Sequence, residues 1–149
     1  MERILFIEDD GELAKTISDK LYNYIIEEVY SYATAIDAWE EYKEDFSCII
    51  LDLNITADKL DDDSLKKEYH GIHGILVLNA FCENKTPEEQ KEIWKKTVIY
   101  SAYTDKLKGK KIIENAPYIP EIIPKGNPNS ISKLLKAVEK IVNQNFVYE

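Results

Sequence analysis

The sequence predicts an α/β fold with a parallel sheet at its centre. Five short apolar runs recur along the chain, and longer runs with helical spacing separate them. Two of the short runs are apolar with hardly a break, the mark of strands covered on both faces. At 149 residues the chain has the length of one ordinary domain, and an apolar fraction of 44% is enough for a folded core. A single domain over 1–149 is therefore expected, with no repeat, linker or low-complexity tract.

The first strand is expected over Arg3–Ile7, where Ile4-Leu5-Phe6-Ile7 leaves no polar face. Leu13, Ile17, Leu21, Tyr24 and Ile25 then recur at the spacing of one helix face, which predicts a helix across Gly11–Ile26. Val29–Tyr32 is short and β-prone. A helix over Ala35–Glu44 turns Ile36, Trp39 and Tyr42 inward and Asp37, Glu40, Glu41 and Lys43 outward. Phe46–Leu51 is the clearest buried strand. The rhythm then breaks at Asn54–His70, a polar and charged insertion. A helical apolar pattern resumes in Gly71–Cys82 through Ile75, Leu76, Leu78 and Phe81. Thr86-Pro87-Glu88-Glu89 has the form of a helix start, with Thr as cap, Pro in the first turn and acids at the positive end. A fourth strand over Thr97–Tyr100, a helix over Asp105–Asn115 and a fifth strand over Ile119–Ile123 follow. A last helix over Ile131–Val142, capped by Asn129 or Ser130, completes the alternation, with Ile131, Leu134, Leu135, Val138 and Ile141 as its buried stripe.

Composition removes several classes of function. A net charge of −9 argues against a nucleic-acid surface, and the cluster Lys106-Leu107-Lys108-Gly109-Lys110-Lys111 reads as a solvated helix face. Cys48 and Cys82 lie in apolar stretches and behave as small hydrophobes, and with two histidines in the chain a Cys/His zinc site is not expected. No apolar run approaches the roughly 18–20 residues of a membrane span, and the N-terminus turns acidic too early for a signal peptide. A soluble, cytoplasmic protein is expected. Asp58, Asp61, Asp62 and Asp63 lack the alternation and distal Glu of a calcium-binding EF-hand and read as a solvated loop. His70 and His73 read as loop or packing residues, and the ten tyrosines as half-buried packing groups.

Ligands of open α/β sheets bind beyond the carboxyl ends of the strands. Glu8, Asp9 and Asp10 follow the first strand, Asp52 the third, Ser101 the fourth and Lys125 the fifth. Carboxylates, a hydroxyl and an ammonium thus converge on one sheet edge, as phosphoryl transfer to a carboxylate requires. A hard divalent cation needs two or three carboxylates beside its waters. Together with a lysine, the cation neutralises the phosphoryl oxygens, and a short hydroxyl donates to another. Asp52 is then the nucleophile, activated by position and charge neutralisation.

Four stretches, Ile4-Leu5-Phe6-Ile7-Glu8-Asp9-Asp10, Ile49-Ile50-Leu51-Asp52-Leu53, Val98-Ile99-Tyr100-Ser101-Ala102 and Ile123-Pro124-Lys125, resemble in order the motifs of bacterial response regulator receiver domains. The resemblance implies a doubly wound, five-stranded, flavodoxin-like sheet of order 2-1-3-4-5 with helices on both faces. It implies that Glu8, Asp9, Asp52 and the main-chain carbonyl of Asn54 hold Mg2+. Asp52 would accept phosphate from a sensor histidine kinase or phosphotransfer protein, and Ser101 and Lys125 would contact the phosphoryl group. Asn54 and Tyr103 fall where the family tunes hydrolysis. A stand-alone receiver of this kind turns over no substrate and signals by docking a downstream protein, with homodimerisation left open. Beyond the last helix only Asn143–Glu149 remains, so no DNA-binding output domain is expected.

The chain departs from that pattern at three places. Gly71-Ile72-His73-Gly74, after the insertion, replaces the usual tight Asp-Gly loop. Ile122 stands at the aromatic switch position, and Gly126 stands where Pro usually follows the lysine, so a cis peptide is not assured there. These departures favour one alternative, a pseudo-receiver used only for protein binding. A second, a haloacid-dehalogenase-type phosphatase, rests on Asp52-Leu53-Asn54-Ile55-Thr56. Its signature, however, belongs after the first strand and needs an acid where Asn54 stands.

Overall fold

The computed structural model describes residues 1–107 and 118–147. Four consecutive apolar side chains, Cys48–Leu51, form β3, and all four are buried. A strand with no polar face must lie inside a sheet covered on both sides. β3 pairs in parallel with β1 (Arg3–Ile7) on one side and β4 (Thr97–Ser101) on the other. β2 (Ile25–Val29) adds outside β1 and β5 (Glu121–Pro124) outside β4, giving the order β2-β1-β3-β4-β5. This is the doubly wound arrangement expected from the sequence.

Alternate residues of the strands feed two cores. Leu5, Ile7, Ile49, Leu51 and Ile99 face α2 (Tyr32–Glu41), α4 (Gly74–Phe81) and α5 (Pro87–Lys95). Ile4, Phe6, Cys48, Ile50, Val98 and Ile123 face α1 (Gly11–Lys20) and α6 (Ser130–Val147). On the first face Trp39 of α2 stacks on Phe81 of α4, with ring centroids 4.1 Å apart.

Several boundaries differ from the sequence reading. The first helix ends at Lys20 rather than running to Ile26, because the Leu21 N–H turns back to Ser18 and Ile25 N–H bonds Glu2 O at 2.9 Å. Tyr24 does pack on the same core as α1 and so mimics a continuing helix face, whereas Ile25, read as part of that face, is exposed. The second strand is therefore Ile25–Val29, not Val29–Tyr32. Its glutamates are tolerated because it is an edge strand, with Glu27 paired to Arg3 at 2.6 Å. α2 begins at Tyr32, where Ser31 and Thr34 form a capping box, and it stops at Glu41 because Lys43 and Glu44 adopt positive φ. β3 starts at Cys48 rather than Phe46, and β5 spans Glu121–Pro124 rather than Ile119–Ile123. The last helix begins at Ser130 and extends past Val142 to Val147.

Thr86 and Glu89 form the capping box that opens α5, as the sequence indicates. The insertion carries a short helix, α3 (Asp63–Glu68), capped by Asp62. Of the helix expected over Asp105–Asn115, Thr104–Leu107 forms a 3-10 turn and the rest lies outside the described residues. No helix among the described residues is long and apolar enough to cross a membrane.

Candidate functional site

Parallel strands end on the same edge, and here the first, third, fourth and fifth bring their following residues together. Glu8 is fully buried, and its N–H bonds Val29 O at 3.0 Å. Asp9 beside it is exposed. Asp10 points the other way and caps α1, accepting from Leu13 N–H at 3.1 Å. Helix capping thus accounts for one acid of the three and leaves Glu8 and Asp9 to the site.

Asp52 is 4% exposed, with its N–H on Ile7 O at 2.9 Å. Its two carboxylate oxygens are held differently. Oδ1 accepts from the Ser101 hydroxyl at 2.7 Å and from the Asn54 N–H at 3.2 Å, and Oδ2 accepts from Lys125 Nζ at 3.2 Å. Lys125 also reaches Glu8 Oε1 at 2.5 Å, bridging the two buried carboxylates. The Ser101 hydroxyl in turn accepts from Tyr103 N–H at 3.2 Å. The side chains of Glu8, Asp52, Ser101 and Lys125 therefore meet. Asn54 joins them through its backbone N–H, while its side chain is exposed.

Burial, and then the neighbouring Asp52 carboxylate, push the Glu8 carboxyl up to about 8, with Lys125 opposing them. For Lys125 burial disfavours the ammonium, but Glu8 and Asp52 outweigh it and its pKa rises. One carboxylate oxygen from each of Glu8, Asp9 and Asp52 lies within 4.8 Å of the others. The donors are all hard oxygens, and exposed Asp9 leaves water access, which fits a small hard cation. This is the one carboxylate cluster of that kind among the described residues.

Gly74 was not selected from the sequence as a site residue. A Cβ there would lie 2.2 Å from Asp52 O, and the Gly74 N–H bonds Leu53 O at 2.8 Å. The backbone carrying Asp52 can be approached this closely only by a glycine. A glycine opening the apolar run Gly74–Phe81 was the available signal. Ile122 lies exposed on β5, and no cis peptide bond occurs among the described residues, Lys125–Gly126 included.

No protein-family model matches the chain, and no curated protein matches it in sequence. The likeness is three-dimensional. A response regulator receiver domain from Clostridium thermocellum superposes with a TM-score of 0.67 at 15% identity, covering 100% of both chains. The fold is that of a receiver domain. A CheY-like receiver domain protein from Methanospirillum hungatei gives 0.65 at 17% identity, covering 100% of this chain and 99% of the other. The Thermotoga maritima response regulator TrrA, in complex with Mg2+ and BeF, gives 0.62 at 18%, covering 95% and 99%. After β3 the chain returns at Gly74, whose N–H bonds Leu53 O at 2.8 Å.

Proposed function

We propose that this protein is a phospho-accepting receiver domain. The observation that carries the reading is the Asp52 carboxylate held between the Ser101 hydroxyl at 2.7 Å and the Lys125 ammonium at 3.2 Å, beside Glu8 and Asp9. Glu8, Asp9, Asp52 and the main-chain carbonyl of Asn54 would hold Mg2+. When bound, the ion supplies charge neutralisation at the phosphoryl oxygens.

Asp52 attacks the phosphorus of a phosphohistidine on a sensor kinase or phosphotransfer protein. The new P–O bond forms as the P–N bond breaks, and the imidazole keeps the electron pair and is then protonated. Lys125 and Ser101, already on the two Asp52 oxygens, follow the charge onto the phosphoryl group. The cost of ordering these groups is met in folding, so none is left for the transfer step. The phosphorylated domain acts by docking a downstream protein in the cytoplasm, and it turns over no substrate.

Acetyl phosphate with Mg2+ tests this directly. The expected result is a mass gain of one phosphoryl group in the wild type, lost in Asp52→Ala and on chelation of the metal. A wild type that gains no mass would leave the fold serving protein binding alone. The insertion and the exposed Ile122 are the features that favour that second reading.

A further inference from the structure

Lys125 starts an exposed stretch. Gly126, Asn127, Pro128 and Asn129 all face solvent, and a Cβ at Gly126 would meet nothing within 4 Å. Ser130 N–H closes the stretch onto Asn127 O at 3.0 Å, but no side chain from Gly126 to Asn129 is buried to fix where the lysine stands. Its main chain is bonded on two sides instead. Lys125 N–H bonds Ser101 O at 3.1 Å, and Lys125 O accepts from the Ser130 hydroxyl at 3.2 Å. Ser130 is the first residue of α6 and is 4% exposed. Its Oγ also lies 3.3 Å from the hydroxyl of Tyr100, which is 2% exposed.

Counting protons fixes the direction of this chain. The one Ser130 hydroxyl proton goes to Lys125 O, so Tyr100 O–H donates to Ser130 Oγ. A hydroxyl that accepts while donating is the stronger donor, and both groups are buried away from competing water. The Tyr100 ring lies 5.6 Å from Lys125 Nζ, so the same tyrosine also faces the ammonium.

We infer that Ser130 and Tyr100 are positioning residues for Lys125, pinning its main chain from α6 so that its ammonium reaches Asp52 and Glu8. The inference rests on the reading of Lys125 as a phosphoryl contact, and it assigns to α6 a direct hold on the site. Tyr100 follows no strand end and touches neither carboxylate, so it acts only through Ser130 and Lys125.

The test reads Lys125 itself, in full-length protein without metal, by NMR of its ε-methylene and ammonium signals. Ser130→Ala and Tyr100→Phe are expected to move these signals toward those of an exposed lysine, and Ser130→Thr to restore them. Phosphorylation by acetyl phosphate should slow about tenfold in the first two variants, the scale of one lost buried hydrogen bond. Should Ser130→Ala fail to fold, Tyr100→Phe, which removes one atom, carries the test. Lys125 signals unmoved in the variants overturn the inference, as does a lower melting temperature with Lys125 unchanged. If the wild type takes no phosphate while Lys125 responds as expected, the positioning stands and the acceptor reading falls.

Discussion

Glu8 has the largest consequence at the scale of single residues. Its carboxyl is held at about 8 by burial and by Asp52, yet a metal ligand must be ionised. Mg2+ binding at pH 7 should therefore release a proton. Affinity should climb by up to about tenfold per pH unit below 8 and flatten above it. Calorimetric titrations in buffers of different ionisation enthalpy measure the released proton, and Glu8→Gln should abolish both effects. Without metal the sign for folding is the reverse. The unfolded group titrates near 4.5, so the stability favoured by protonated Glu8 is complete below that pH and is lost as pH rises to about 8. Gly74 gives a second prediction. A methyl group 2.2 Å from Asp52 O must displace the β3 end, so Gly74→Ala should cost about 3 kcal/mol. The urea midpoint reports this, and an unchanged midpoint would refute the close approach.

Among the elements, the insertion shows how a polar segment is tied down. Asp58 accepts from Ala33 N–H at 2.9 Å and from the Ser31 hydroxyl at 3.1 Å, so it caps α2 from outside. Thr56 bridges to Ser31, and His73 Nε2 bonds Lys66 O at 2.8 Å. Asp58→Ala should lower stability by about 1 kcal/mol, the scale of a helix cap. The hydrogen bond from Ala33, more than any other cause, lowers the Asp58 pKa, so its contribution is present above pH 3.8 and lost as pH falls through the depressed value. Denaturation curves taken from pH 7 downward should show the gap to the variant closing only below pH 3.8. The same segment marks where the sequence stopped being legible. Strand β1 and the α5 cap could be read because periodicity and capping chemistry are local. Asp58 read as a solvated acid because the end of α2 that it caps lies 25 residues away and reaches it only once the chain has folded. Tyr24 and Ile25 misled for a related reason: Tyr24 reaches the core of α1 from the turn after it, while Ile25 opens the edge strand with its side chain exposed.

For the whole molecule, the residues expected to hold Mg2+ follow β1 and β3, so the ion would tie two neighbouring strands at the centre of the sheet together. Binding to the native state alone should then raise the melting temperature of the entire domain. At a Mg2+ concentration of about 100 times Kd the gain is about 2.7 kcal/mol. Asp9 is exposed, so Asp9→Asn should melt like the wild type in chelator and lose most of the Mg2+ increment. An increment of wild-type size in Asp9→Asn would remove Asp9 from the ligand set. The meeting of Glu8, Asp52, Ser101 and Lys125 was readable in the sequence, because parallel strands force their ends to meet. The hold on Lys125 from Ser130 was not, because Ser130 looks like an ordinary helix cap until Lys125 O is placed within its reach.

The return of the chain from Gly74 to Leu53 O makes the insertion a cassette. Its two ends are bonded to each other at its base, so cutting it out requires a linker only long enough to join neighbours. Lengthening it adds only a slowly growing closure entropy. Foreign sequence grafted at the exposed stretch 61–64 would be carried on a scaffold whose strands need not move, while Ile55, Asp58 and Ile72 keep their contacts.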